Sequence, residues 1–168
     1  LEEAVSKVKG EPSREALETE LSIGLPAFIP DGYISDAGQR LKYYKTLAST
    51  REGKELHDIE LELRDLYGPL PPELNNFLAV LDLKRLLGKL QAVKADISGE
   101  RLKLVWNESS TAVDPSRLVS WVGATNATRG AKVRLLPPAA LEYGLAVDLP
   151  VPERLREAML DLNRLLED

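Results

Sequence analysis

The spacing of apolar residues changes twice along this chain of 168 residues, and each spacing predicts a different kind of element. Near the N-terminus, Leu21, Ile23 and Leu25 alternate with smaller or polar residues. A period of two predicts a short strand, and Pro26 ends it. Because Pro26 and Pro30 have no backbone N–H to donate, this strand is not expected at the centre of a sheet.

From residue 35 to residue 90 the apolar spacing becomes helical and predicts three consecutive helices with short links. Their starts are indicated by two capping boxes and a proline pair: Asp36 with Gln39, Ser49 with Glu52, and Pro71 with Pro72. The stripes expected to face the core are Leu41, Tyr44, Leu47 and Ala48, then Leu56, Ile59, Leu63 and Leu66, then Leu74, Phe77, Leu78, Leu81, Leu86 and Leu90.

After residue 91 the pattern alternates between strands and helices. The expected elements are a hairpin over 92–98 and 101–107, a helix capped by Asp114, a polar loop over 124–130, paired strands over 131–136 and 141–147, and a helix from Pro152 to Leu166. The chain is therefore predicted to be α+β, with a three-helix N-terminal half packed with antiparallel β-hairpins and a C-terminal helix.

Composition narrows the possible functions. The chain has 22 Lys and Arg against 27 Asp and Glu, a formal net charge of −5, which disfavours a general nucleic-acid surface. It has no cysteine and one histidine, His57, so disulfides, thiol nucleophiles and multi-histidine metal sites within this chain are excluded. No apolar run approaches the roughly 20 residues of a membrane span, and a soluble cytoplasmic protein is expected.

Sequence motifs for catalysis are few. Neither G-x-x-x-x-G-K-[ST] nor G-x-G-x-x-G occurs, so we expect neither nucleotide binding nor another cofactor in this chain. His57 has two interpretations, a general base beside a carboxylate or a solvated histidine on a helix surface, and the second is favoured. We expect a chain without enzymatic activity.

Four carboxylates are expected to gather on one flank of the second helix: Glu55, Asp58, Glu62 and Asp65. Repulsion between like charges at this spacing costs a few tenths of a kcal/mol per pair, so the helix itself gains nothing. The flank is either a docking face or an ordinary solvated face partly neutralised by Arg51 and Arg64. A metal site is less favoured because one exposed helix lacks an enclosing set of ligands.

Six basic residues cluster around the predicted strands of the second half: Lys94, Arg101, Lys103, Arg129, Lys132 and Arg134. With Trp106 and Trp121 in the same region, they leave open an alternative function as a nucleic-acid-binding accessory module. The two tryptophans themselves are more typical of core positions.

Two stretches carry ordered motifs. Residues 24–49 contain A-[YF]-I-P-x-x-Y-I followed by R-L-x-x-Y-K, and residues 61–90 contain an acidic helix followed by G-P-x-P and an asparagine. Both stretches resemble the signature blocks of the C-terminal domain of bacterial transcription-repair coupling factors, the Mfd family. The matching residues are Ala27, Phe28, Ile29, Pro30, Tyr33, Ile34, Arg40, Leu41, Tyr44 and Lys45, then Asp65, Gly68, Pro69, Pro71, Asn76 and Leu78.

This resemblance implies a division of the chain and a regulatory function. Residues 1–12 resemble the end of a linker helix from a preceding motor domain, and residues 13–168 resemble the C-terminal regulatory domain. In such a protein this domain docks on an N-terminal module similar to UvrB and masks its UvrA-binding surface until RNA polymerase is engaged. DNA is then contacted by the motor domains and not by this fragment.

The resemblance also implies which residues dock. Glu62 and Asp65 resemble carboxylates that pair with arginines of the N-terminal module, and Asp58 and Leu66 are assigned to the same surface. The sequence departs from the family at Leu66 and Tyr67, where Arg-Phe is common. One polar contact is therefore expected to be lost, while Tyr67 retains an aromatic ring.

Overall fold

A computed structural model describes residues 18–130 and 132–167. The elements in chain order are strand β1 (Glu20–Gly24), helices α1 (Ala37–Ala48), α2 (Gly53–Tyr67) and α3 (Pro72–Lys89), strands β2 (Lys94–Ser98) and β3 (Arg101–Val105), helix α4 (Pro115–Arg129), strands β4 (Val133–Leu136) and β5 (Ala140–Gly144), helix α5 (Val151–Asn163), and a 3₁₀ turn (Arg164–Leu166). The predicted α+β class is confirmed. The predicted helix end over residues 1–12 lies outside the described residues.

One five-stranded sheet, in the order β1-β2-β3-β5-β4, collects all five strands. The two predicted hairpins, β2–β3 and β4–β5, are antiparallel and confirmed. Strand β1 lies at an edge, as its prolines indicate, but it pairs with β2 in parallel. A parallel pair needs a long crossover, and the three helices between β1 and β2 supply it. The sheet is therefore mixed, a feature that the apolar pattern did not predict.

Two hydrophobic clusters divide the interior. The larger one lies between one face of the sheet and helices α3, α4 and α5, and includes Leu83, Leu87, Leu104, Leu141 and Leu155. The smaller one joins α1, α2 and the first turns of α3. Helix α3 contributes to both clusters and is buried around most of its circumference, so it connects the two parts of the domain.

Three of the predicted helix starts are confirmed. The Asp36 carboxylate accepts a hydrogen bond from the Gln39 backbone N–H, 3.2 Å away, and Pro72 occupies the first turn of α3. The Asp114 carboxylate accepts from the Arg117 N–H at 3.1 Å.

The capping box predicted at Ser49 and Glu52 is wrong. Ser49 ends α1, where its hydroxyl donates to the Thr46 carbonyl 2.8 Å away, and Glu52 precedes α2 without a side-chain cap. A serine at the end of one helix is satisfied by that helix's own carbonyls, so it does not start the next helix.

Two predicted helix faces are rotated in the structure. Leu41 is 54% exposed and Ala48 is also exposed, because Tyr43 takes the inward position on α1 and is 8% exposed. Leu66 is 60% exposed, and Tyr67 turns inward in its place. An aromatic ring offers more apolar area than leucine, and on both helices it decides which side faces the core.

The polar loop predicted over residues 124–130 is also wrong, because α4 continues to Arg129. Trp121 and Thr125 are buried one turn apart, so the helix has a core-facing side there that the apolar pattern did not show. Gly130, with a φ of 78°, ends the helix in the left-handed conformation that glycine adopts readily.

Among the described residues, no helix combines the length and hydropathy needed to span a membrane.

Candidate docking surface on helix α2

The C-terminal end of α2 is fixed by Tyr33, which lies in the loop before α1. The Tyr33 hydroxyl lies 3.0 Å from the Leu63 carbonyl and 2.7 Å from the Gly68 carbonyl, so it donates to the last turn of the helix. The Gly68 carbonyl lies one residue beyond the helix, where no later turn can donate to it, and a side-chain donor satisfies it. Gly68 ends the helix with a φ of 90°, a value that suits a residue without a side chain. The position of this end therefore depends on residues outside α2.

Three tyrosine rings pack in sequence beneath the same end. The ring centroids of Tyr33 and Tyr67 are 5.6 Å apart, and those of Tyr67 and Tyr43 are 6.2 Å apart in an edge-to-face arrangement. Such pairs contribute about 0.5–1.5 kcal/mol beyond their burial. The aromatic ring expected at Tyr67 is therefore used inside the domain to attach α2 to α1.

The remaining signature residues build the support for α1 and α2. Arg40 donates to the Ile34 carbonyl at 2.7 Å, the Tyr44 hydroxyl accepts from the Ile29 N–H at 2.7 Å, and Asn76 donates to the Pro26 carbonyl at 2.9 Å. Two other signature residues make backbone hydrogen bonds: the Pro30 carbonyl accepts from the Tyr33 and Ile34 N–H groups, and the Phe28 N–H donates to the Glu73 carbonyl. Pro69 is exposed, and Pro71 directly precedes α3. The signature thus marks a fold, not a set of reactive groups.

The four carboxylates of α2 lie on its solvent side and are here named the acidic stripe: Glu55, Asp58, Glu62 and Asp65 are all exposed. At about 100° per residue, Leu61 and Leu66 lie on either side of this stripe. They are 51% and 60% exposed. The structure therefore brings together all four of the residues assigned to docking, and it adds Leu61, whose exposure the apolar pattern did not indicate.

The acidic stripe is not neutralised within the described part of the chain. Arg64 pairs with Glu60 at 3.2 Å, on another side of the helix, and no ion pair of Arg51 or of the four stripe carboxylates is found among residues 18–130 and 132–167. The relief that an ordinary solvated face would obtain from Arg51 and Arg64 is therefore not formed here. Four carboxylates at helical spacing without an ion pair to another described residue raise the free energy of the folded chain slightly, and a cationic partner would lower it.

The Tyr43 hydroxyl lies beside the acidic stripe, and the stripe carboxylate of Glu62 affects its pKa. Burial, and after it the charge of the neighbouring Glu62 carboxylate and its hydrogen bond, raise the pKa of Tyr43 from 10.0 to about 12. The hydroxyl therefore remains protonated and available to Glu62 well above neutral pH. Tyr43 was not among the predicted site residues, and only its place in the R-L-x-x-Y-K pattern, one position before Tyr44, pointed to this region.

A pH dependence of stability follows from Tyr43. Because the folded chain holds this proton above the ordinary pKa of 10.0, the free energy of unfolding is expected to decrease as the pH rises from 10 toward 12. Urea unfolding between about pH 9 and pH 11 measures the decrease, which we expect to be smaller in Tyr43→Phe than in the wild-type chain. The same pH dependence in both proteins would contradict this assignment.

The other candidate residues lie elsewhere. His57 is on the surface of α2, with its side chain 64% exposed and its Nδ1 atom 3.4 Å from Glu60. Trp106 and Trp121 are buried, and their indole N–H groups donate to the carbonyls of Leu90 at 2.8 Å and Asp161 at 2.7 Å. The favoured interpretations, a surface histidine and two core tryptophans, are confirmed. Residues 18–130 and 132–167 contain no group of three or more His, Cys, Asp or Glu placed to hold a metal ion.

The basic residues of the second half are partly neutralised. Arg101 and Arg134 both pair with Glu142, at 2.9 and 3.0 Å, and Arg129 pairs with Asp161 at 3.0 Å. On the open face of the sheet, the register places residues of both charges side by side: Asp96, Lys103, Glu142 and Arg134. This face is therefore not the uniformly basic surface that binding to phosphates requires.

These features define an α+β domain that presents one acidic helix on its surface. The TRCF domain family matches residues 23–118, and the chain belongs to this family. It is 34% identical over 133 residues to the transcription-repair-coupling factor of Myxococcus xanthus and 33% identical over 124 residues to that of Escherichia coli (strain K12). The alignments cover 79% and 71% of this chain but 10% and 11% of those proteins, so the chain spans about a tenth of their length.

The same architecture occurs in a crystal structure of the C-terminal domain of transcription-repair coupling factor. The TM-score is 0.65 at 16% sequence identity, and the alignment covers 89% of this chain and 97% of that domain. At this identity the comparison supports the fold. It agrees with the predicted combination of three helices, hairpins and a C-terminal helix.

Proposed function

We propose that this chain is a non-catalytic regulatory domain of a cytoplasmic translocase that couples transcription to DNA repair. In this function the acidic stripe of α2 docks on the UvrB-like N-terminal module of the same protein. The contact covers the module's UvrA-binding surface, and engagement of RNA polymerase by the rest of the protein releases it. In this proposal the domain needs no cofactor and acts through its surface alone.

The unpaired acidic stripe is the observation that carries this proposal. Its carboxylates form no ion pair among the described residues, and Leu61 and Leu66 provide exposed apolar area on both sides of it. A charged centre with leucines at its borders suits a contact of moderate affinity with a cationic helix or loop. Tyr33 and Tyr67 support the end of α2 from below, so the stripe is presented in one orientation.

A releasable contact needs a limited free energy. Keeping the uncovered form of the module near one per cent requires about 2.7 kcal/mol of net coupling. Exposed charge pairs contribute about 0.2–1 kcal/mol each, so three or four pairs along the stripe, with some burial of Leu66, supply a coupling of this size. Polymerase engagement then has to contribute only a similar free energy to uncover the module.

Reversal of two stripe charges tests the proposal. Glu62→Arg with Asp65→Arg is expected to leave this domain folded, because both side chains are exposed, and to weaken its binding to the separately expressed N-terminal module at least tenfold. The weakening is expected because both substitutions place cations against the arginines of the module. Isothermal titration calorimetry at low salt measures the affinity, and circular dichroism verifies the fold.

A second double variant provides the matched control. Glu108→Arg with Asp148→Arg changes the net charge by the same amount on exposed loops of the other half, where neither residue forms an ion pair with another described residue. We expect this variant to bind the module like the wild-type chain. Equal weakening in both variants would indicate only a net-charge effect, and unchanged affinity in the stripe variant would refute the docking assignment.

A further inference from the structure

A groove lies between α3 and α5. Its volume is ≈ 270 Å³. Each helix lines it with residues at the spacing i, i+3, i+4 and i+7, which are Asp82, Arg85, Leu86 and Lys89 on α3 and Arg156, Met159, Leu160 and Asn163 on α5. Two turns of each helix, about 10 Å long, therefore form the two walls of the groove, and a third helix fits between them.

The floor and the rims of this groove differ in polarity. Leu86 and Met159 form an apolar floor, and Leu160, which is 65% exposed, adds apolar area at its edge. The rims carry Lys89 and Arg156, one on each helix, both exposed and in no ion pair with another described residue. In a chain with a net charge of −5, the groove is thus a local cationic site with uncovered apolar area.

Within the groove, Arg85 does not add a free charge. It pairs with the Asp82 carboxylate. Burial disfavours the charged form of this carboxylate, and the positive charges of Arg85 and Arg156 favour it. Burial is the larger effect and raises the pKa of Asp82. The charges of Asp82 and Arg85 offset each other, so Lys89 and Arg156 carry the net positive charge of the groove.

We propose that this groove receives the acidic stripe of α2 from a second copy of this chain. The stripe has the complementary composition, because its carboxylates would lie against Lys89 and Arg156 while Leu61 or Leu66 covers Leu160. The stripe extends over eleven residues, about 15 Å, and therefore spans the two turns of the groove. This contact does not rest on the proposed docking to the N-terminal module, although the two contacts use the same stripe.

The contact is head to tail, since the stripe and the groove are different surfaces. Each copy keeps a free stripe at one end and a free groove at the other, so the chains grow with concentration instead of closing as a symmetric dimer. The exposed floor favours a protein helix over a nucleic acid, because phosphates gain nothing from Leu160 and Met159. When the acidic stripe is docked on the N-terminal module, it is covered and cannot enter the groove of a second copy, so the copies separate.

Sedimentation velocity tests this contact at low salt, with the chain between about 10 µM and 1 mM. The wild-type chain is expected to show a sedimentation coefficient that increases with concentration. Glu62→Gln with Asp65→Asn, the stripe variant, and Lys89→Gln with Arg156→Gln, the groove variant, are each expected to remain monomeric. All four residues are exposed, so both variants should fold.

Mixing the two variants gives the decisive result. The intact groove of the stripe variant can accept the intact stripe of the groove variant, and growth then stops at a one-to-one dimer. A monomeric wild-type chain over the whole range, association that persists in either variant alone, or an inert mixture overturns the proposal. A monomeric wild-type chain whose groove mediates binding of a single-stranded oligonucleotide would instead assign the groove to nucleic acid and also overturn it.

The groove variant separates this proposal from the proposed function. Its acidic stripe is unchanged, so it should bind the N-terminal module with wild-type affinity while it has lost self-association. If the groove variant keeps self-association, the groove assignment fails and module docking is unaffected. If the stripe variant binds the module normally, docking fails and the groove result is unaffected.

Discussion

Leu63→Ala is expected to lower the free energy of unfolding by about 2–5 kcal/mol. Leu63 is fully buried on the inner side of α2, in the smaller hydrophobic cluster, which has nine buried members among the described residues. Removal of its side chain leaves a cavity that this small cluster cannot easily fill, because the neighbouring Tyr33 is held by hydrogen bonds to the Leu63 and Gly68 carbonyls. Urea unfolding measures the loss, and amide hydrogen exchange shows whether α1 and α2 open before the sheet does.

Leu61→Ala is the matched control on the same helix. Leu61 is 51% exposed and lies two residues away, so its truncation should change stability by less than about 0.5 kcal/mol. The two variants therefore separate the packing of α2 from its surface. A loss below about 1 kcal/mol for Leu63→Ala, or a loss of equal size for both leucines, would contradict the description of the smaller cluster.

The sequence predicts the helix starts in the cases where a local side chain decides them. Asp36 and Asp114 each accept a backbone N–H three residues ahead, and Pro72 fits a first turn that needs no N–H. These interactions join residues close in sequence, so periodicity and capping rules are sufficient to find them. The two hairpins are local in the same sense, and both are confirmed.

The buried faces of the helices and the pairing of strands distant in sequence were harder to predict. Leu41 and Tyr43 compete for the inner side of α1, and the outcome depends on Tyr67, more than twenty residues later in the chain. The parallel pairing of β1 with β2 depends equally on contacts across three helices, among them the Thr19 hydroxyl that donates to the Ala92 carbonyl at 2.8 Å. Propensity and period carry no information about such contacts.

The candidate docking surface was predicted in part. The stripe carboxylates follow from helical spacing alone, and all four are exposed as expected. Leu66 was assigned both to the inward stripe and to the docking surface, and only the second assignment agrees with its 60% exposure. Its outward position follows from the tyrosine packing at Tyr67, which no local rule specifies. The docking contact itself remains a proposal.

A buried charge network holds α4, β5 and α5 together in the second half. Asp161 is 4% exposed, and its carboxylate accepts from the Tyr143 hydroxyl, from Arg129 at 3.0 Å and from Arg164 at 3.1 Å. Burial and the hydrogen bond to Asp161 raise the pKa of Tyr143. The backbone carbonyl of Asp161 also accepts the indole N–H of Trp121. Sequence reasoning placed Arg129 in a basic patch instead, because its partner is 32 residues away.

Asp161→Ala is expected to lower the free energy of unfolding by about 3–5 kcal/mol, because it leaves the Tyr143 hydroxyl without its partner and Arg129 with only the Glu157 carboxylate, 3.7 Å away. Partial exposure of the Arg129 side chain, 30%, favours the lower end of that range. Asp148→Ala removes a carboxylate from an exposed loop where it has no ion pair with another described residue, and should change stability by less than about 0.5 kcal/mol. Urea unfolding of both variants makes the comparison. If Asp161→Ala costs no more than Asp148→Ala, the network does not hold α4 to α5, and the larger cluster alone must do so.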